Sequence, residues 1–79
     1  MKDPTYYCVR AFRGRRDRPT EVSARWCASA REARATALRL GPDHCLVIAY
    51  AFEGRPEYGV FGEPRLLARH GELPGEGGA

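Results

Sequence analysis

Residues 20–27 alternate cleanly, with Val22, Ala24 and Trp26 on one parity and Glu21, Ser23 and Arg25 on the other. A period of two over that length predicts a half-buried strand with its apolar set turned inward. Upstream, Tyr6-Tyr7-Cys8-Val9-Arg10-Ala11-Phe12 concentrates aromatic and β-branched residues and runs into Arg13-Gly14-Arg15-Arg16-Asp17-Arg18-Pro19. This reads as a first strand and a hairpin loop. In residues 44–53 both parities are apolar, Cys45, Val47, Ala49 and Ala51 against Leu46, Ile48, Tyr50 and Phe52. Such a strand belongs in the middle of a sheet.

Between the second and third strands the period changes. Ser29-Ala30-Arg31-Glu32 forms a capping box, and Gly41-Pro42 closes the segment, so a helix is expected between them. Ala30, Ala33, Ala37 and Leu40 then share one face, small enough to let the helix axis lie close to a sheet. Arg31, Arg34 and Leu38 point elsewhere. After the third strand, Gly54-Arg55-Pro56, Tyr58-Gly59 and Gly62-Glu63-Pro64 mark an irregular connection, and residues 65–70 suit a short last strand. The order strand, strand, helix, strand, strand predicts an α+β fold, a four-stranded antiparallel sheet with one helix packed on one face. One helix covers one face only, so the other is expected to be open. On the first strand we assign the parity of Tyr6, Cys8, Arg10 and Phe12 to that open face, because arginine favours water.

Length restricts the architecture to one unit. A chain of 79 residues buries only about 60% of its unfolded surface and cannot divide a core in two. Residues 1–72 are expected to form the domain and the glycine-rich, acidic residues 73–79 a flexible tail. At 43% apolar and 29% charged the composition is that of a folded globular chain. No apolar run approaches the roughly 18 residues of a membrane span, and Met1-Lys2-Asp3-Pro4 does not open a secretory signal. No membrane association is expected, and the cytoplasm is the default location, that of the host cell if a phage encodes the chain.

Charge adds an asymmetry. Residues 1–40 carry ten Lys/Arg against four Asp/Glu, and residues 41–79 carry three against six. A basic half joined to an acidic half suits docking on an anionic surface in one orientation.

Candidate chemistry is sparse. Cys8, Cys27 and Cys45 are odd in number and form no C-x-x-C pair, so they predict neither disulfides nor a zinc site and read as small buried hydrophobes. His44 and His70 complete no marked catalytic constellation, and no phosphate-binding glycine loop or carboxylate pair is present. The expectation is a non-enzymatic protein without metal or cofactor. A binding surface is the better candidate. Tyr6, Arg10 and Phe12 interleave rings and a cation on one parity and lead into Arg13, Arg15, Arg16 and Arg18, while Arg25, Arg31 and Arg34 extend the basic set. Rings beside cations suit a protein or nucleoprotein partner, or direct binding of nucleic acid. Tyr6, Phe12, Tyr58 and Phe61 on an open sheet face suit a homodimer equally.

Residues 63–74, Glu-Pro-Arg-Leu-Leu-Ala-Arg-His-Gly-Glu-Leu-Pro, with Tyr6-Tyr7-Cys8-Val9, resemble a group of short uncharacterised proteins of proteobacteria and their phages. In architecture, the strand of Thr20-Glu21-Val22-Ser23-Ala24 followed by the capped helix of Ser29-Ala30-Arg31-Glu32-Ala33 is similar to some small phage anti-CRISPR proteins. Those bind the surface of an RNA-guided surveillance complex. The resemblance implies an inhibitor or adaptor that acts by occupying a surface, and it transfers no individual site residue.

Overall fold

The computed structural model describes residues 3–15 and 17–71. Strand β1 (Thr5–Arg15) and strand β2 (Arg18–Cys27) form a hairpin, followed by helix α1 (Ala30–Leu40) and a 3-10 turn at Gly41–Asp43. Strand β3 (Leu46–Arg55), a 3-10 turn at Pro56–Tyr58, the short strand β4 (Val60–Phe61) and strand β5 (Arg65–Gly71) complete the chain. All pairings are antiparallel: β1 lies between β2 and β3, and the far edge of β3 is shared by β5 and β4. This is the α+β sheet expected from the sequence, with β4 added inside what read as an irregular connection. The expected tail, residues 73–79, lies outside the described residues.

The helix starts where the capping box places it. Ser29 Oγ accepts from the Glu32 backbone N–H at 3.1 Å, and the Glu32 carboxylate reaches back one residue further than the cap, accepting from the Ala28 N–H at 2.9 Å. The first bond satisfies a donor that the first turn of a helix leaves without an intrahelical partner, and the second ties the chain just before the cap to that turn. The helix lays Ala33 and Ala37 on Val9 and Ala11 of β1 and on Val47 and Ala49 of β3, with Tyr7, Cys27, Leu40, Leu67 and Ala68 around them. Ala33, Ala37, Ala11 and Ala49 are fully buried. Alanine on both sides of the contact brings helix and sheet together at close range, so the core is tight and low in volume.

Two bulges set which side chains face where. Ala11 pairs with Ser23 and Phe12 with Glu21, which leaves Val22 as the extra residue of β2. Ala49 pairs with Ala68 and Tyr50 with Leu66, which leaves Leu67 as the extra residue of β5. Each extra residue shifts the alternation of its strand by one place. Leu67 thereby joins the helix side while Leu66 stays on the opposite face.

Two expectations change. Residues 13–15 and 18–19 are strand and not loop: the ladder runs on through Arg13↔Thr20, Gly14↔Pro19 and Arg15↔Arg18. Gly14, at φ +102°, takes a backbone conformation that costs glycine little, and Pro19 needs no donor because it lies on an edge strand. Nor is β2 half-buried with Val22, Ala24 and Trp26 inward. It is an edge strand on which Val22 and Trp26 are 50% and 66% exposed. Alternation separates two faces but does not say which one a helix covers; α1 lies on the side of Cys27, the partner of Tyr7.

Candidate functional site

The face away from the helix is built from the other parity of each strand. β1 contributes Tyr6, Cys8, Arg10 and Phe12, and β3 contributes Leu46, Ile48, Tyr50 and Phe52, each the cross-strand partner of one of them. Trp26 pairs with Cys8 from the β2 side, and β4 brings Phe61 to the far edge.

The rings cover one another. Phe52 stacks on Tyr6 with centroids 5.4 Å apart and on Tyr50 at 6.3 Å, while Trp26 meets it edge-on at 6.1 Å and Phe61 tilts against it at 5.8 Å. Tyr6 and Trp26 also meet edge to face at 5.9 Å. Phe52 is consequently only 6% exposed and Cys8 3%, whereas Trp26, Phe61 and Leu66 remain 66%, 64% and 61% exposed. The face is thus not uniformly open: it has a buried floor and an exposed apolar rim. Contacts of this kind add about 0.5–1.5 kcal/mol each beyond area burial, so the rings stabilise the floor together.

Arg10 stands in the middle. Its guanidinium lies over the Tyr50 ring, 5.9 Å from the centroid, and its Nε donates to Glu21 at 3.3 Å. Its pKa is raised, chiefly by Tyr50 and further by Glu21, with partial burial acting the other way. Tyr50 is raised too, first by burial and then by its bond to Cys8, with Arg10 opposing. Two adjoining hollows share Arg10, Tyr50 and Pro64: one of about 430 Å³ lined also by Phe12, Ile48 and Leu66, the other of about 310 Å³ lined also by Trp26, Phe52, Phe61 and Gly62. Arg10 is the one charged side chain among the described residues that line them.

The residues singled out from the sequence divide into three groups. Tyr6, Arg10 and Phe12 lie on this face. Arg13, Arg15 and Arg18 lie on the outer part of the β1–β2 hairpin; Arg13 Nε donates to the Asp43 carbonyl at 3.3 Å and Arg15 Nε to Asp17 at 3.2 Å. Arg16 lies outside the described residues. Arg25 shares the parity of Cys27 on the helix side, and Arg31 and Arg34 are exposed on α1 itself. The ten residues therefore do not form one surface. Trp26, Tyr50, Phe52 and Leu66 belong to the face but were not in the set. Trp26 and the even-numbered residues of β3 stood out as apolar from alternation, and the missing step was pairing register, which no single strand contains.

Cys8 is buried on this face, Cys27 packs at the edge of the core, and half-buried Cys45 donates its thiol to the Phe12 carbonyl at 3.3 Å. All three are free thiols, and two of them are less buried than expected. Among the described residues no group of three His, Cys, Asp or Glu side chains could hold a metal ion, and no helix is long and apolar enough to cross a membrane. Comparison with protein-family models, with curated proteins and with solved structures finds no match.

Proposed function

We propose that the protein is a non-enzymatic binding module that docks its aromatic sheet face on a protein surface, as an inhibitor or adaptor of the small phage type its architecture resembles. The observation that supports this reading is the combination of a packed ring floor, a rim of Trp26, Phe61 and Leu66 and a central arginine. Trp, Tyr and Arg are the side chains that most often anchor protein interfaces, and they do so from well-packed, desolvated positions. A hollow with apolar walls around one arginine suits an apolar side chain flanked by a carboxylate. A nucleic-acid strand would need cations spaced along its backbone, whereas Arg10 is the one charged side chain among the described residues that line the two hollows.

The test is affinity capture from bacterial lysate, with and without nuclease treatment, using the full chain and its Trp26→Ala/Phe61→Ala variant. A stoichiometric protein partner retained by the parent chain and lost by the variant is expected. Equal capture by both, recovery of the chain itself alone, or loss of all binding on nuclease treatment overturns the reading, the last two in favour of a homodimer or a nucleic-acid binder.

A further inference from the structure

We propose that the outer part of the β1–β2 hairpin is a second binding element, an arm that enters the major groove of duplex DNA. β3 pairs with β1 only over Thr5–Phe12, so the backbone of residues 13–15 pairs with β2 alone, while the Arg13 side chain reaches the Asp43 carbonyl. The hairpin continues past the sheet as a two-stranded ribbon for about 10 Å, at roughly 3.3 Å per residue. Apart from half-buried Pro19, its described residues are exposed. It carries nothing that packs.

It does carry the charge of the molecule. Residues 13–20 contain four arginines and one aspartate, a net of +3, which equals the formal net charge of +3 for the entire chain; elsewhere nine cations meet nine anions. The arrangement is also unfavourable in isolation. Arg15 and Arg18 are direct cross-strand partners, and like charges in that position destabilise a ladder. Asp17 answers Arg15, but with side chains 82% and 65% exposed such a pair contributes little. Arg13 spends one of the five donors of its guanidinium on the Asp43 carbonyl. A polyanion would relieve what the chain leaves uncompensated.

Shape selects the polyanion. The major groove of B-form DNA, about 12 Å wide and 8.5 Å deep, admits a two-stranded ribbon and matches the reach of this one. The major groove of A-form RNA is too deep and narrow for side chains to read. Arginine in the B-form groove meets phosphates at the walls and guanine edges on the floor. This inference rests on the arm and not on the docking role of the aromatic face, whose rings lie on a separate part of the molecule.

Fluorescence anisotropy with a labelled DNA duplex of roughly 20 base pairs, between about 50 and 200 mM salt, tests it on the full chain. Binding is expected at the low end, with affinity falling as roughly the third power of salt concentration. Arg15→Gln/Arg18→Gln should bind about tenfold or more weakly, with a salt exponent lower by about two, and Leu38→Ala, on the exposed side of α1, should bind like the parent. A duplex RNA of equal length should bind less tightly than the DNA. Absence of binding at low salt, equal binding by the arm variant, or preference for RNA or single strands overturns the proposal. Thermal unfolding of the arm variant verifies that it is folded, as expected for a segment that buries almost nothing.

Discussion

Arg10 and Tyr50 are diagonal neighbours across the β1–β3 ladder: Arg10 pairs with Ile48 and Cys8 with Tyr50, and the guanidinium leans over the ring at 5.9 Å from its centroid. Diagonal contacts of this reach are open to long and aromatic side chains on one face of an antiparallel pair. The arrangement puts a cation in the centre of a ring cluster without burying it alone, because Glu21 closes the other side at 3.3 Å. Order at the centre of the face thus comes from three strands at once.

Tyr50 gives this cluster a pH signature. Burial raises its pKa above the ordinary tyrosine value of 10.0. A group whose folded pKa is raised contributes stability that is fully present below the unfolded pKa, about 10, and is lost as pH rises through the folded one. Denaturant unfolding of the parent chain should therefore show stability falling above about pH 10, and Tyr50→Phe, which has no proton to lose, should show a shallower fall. Parallel curves for the two proteins would mean that Tyr50 ionises alike in both states.

Helix–sheet spacing should be the least forgiving part of the fold. Ala37 is fully buried against β1 and β3, one residue from Leu38, which is 67% exposed. Ala37→Leu inserts three carbons where no space exists and should cost about 1–3 kcal/mol or more. Leu38→Ala should change stability by no more than about 0.5 kcal/mol. Chemical denaturation of both variants checks the contrast, and a tolerated leucine at position 37 would show that the helix can move away from the sheet.

The contrast between these neighbours was readable in advance, because helical periodicity assigns 37 inward and 38 outward without reference to anything else. The same holds for the order of elements, for the capping box at Ser29, and for the choice of the Arg10 parity as the side away from the helix. What periodicity could not supply was everything that depends on two strands together. Val22 is an extra residue only in relation to Ala11 and Phe12, and Leu67 only in relation to Ala49 and Tyr50. Those bulges decide that Glu21 reaches Arg10 and that Leu66 lines the hollow. The aromatic floor was hidden for the same reason: Tyr6, Trp26, Phe52 and Phe61 lie far apart in sequence and meet only through register. The arginines of the helix and of the arm look continuous in a charge count but stand on different elements, Arg31 and Arg34 on α1 and Arg13, Arg15 and Arg18 on the outer part of the β1–β2 hairpin.

Gly54 links backbone packing to the face. A Cβ at this position would run into the Val60 carbonyl oxygen and come within 3.2 Å of Phe61 Cα. Gly54 pairs with Phe61 across β3 and β4, and both atoms belong to backbone that cannot rotate aside. Gly54→Ala should displace β4, take Phe61 off Phe52 and cost about 1–3 kcal/mol. Binding to a partner through the rim should weaken with it. Unfolding measurements together with the near-ultraviolet circular dichroism of the ring cluster check both effects; an unchanged aromatic signal would show β4 to be independent of the face.

The arm is the place where stability and binding should move in opposite directions. Arg18 stands directly across from Arg15, a pairing that costs a hairpin some tenths of a kcal/mol, up to about 1. Arg18→Thr removes the repulsion and substitutes a residue that favours strands, so the arm should become more ordered, with slower amide exchange at Arg15 and Thr20. If these arginines served only to keep an exposed hairpin in solution, the substitution would leave duplex affinity unchanged. If they are held against their mutual repulsion in order to meet phosphates, affinity should fall by several-fold and the salt exponent by about one, while the amides become better protected. Hydrogen exchange and anisotropy on the same variant separate the two accounts, and slower exchange without loss of affinity would remove the arm from any role in binding.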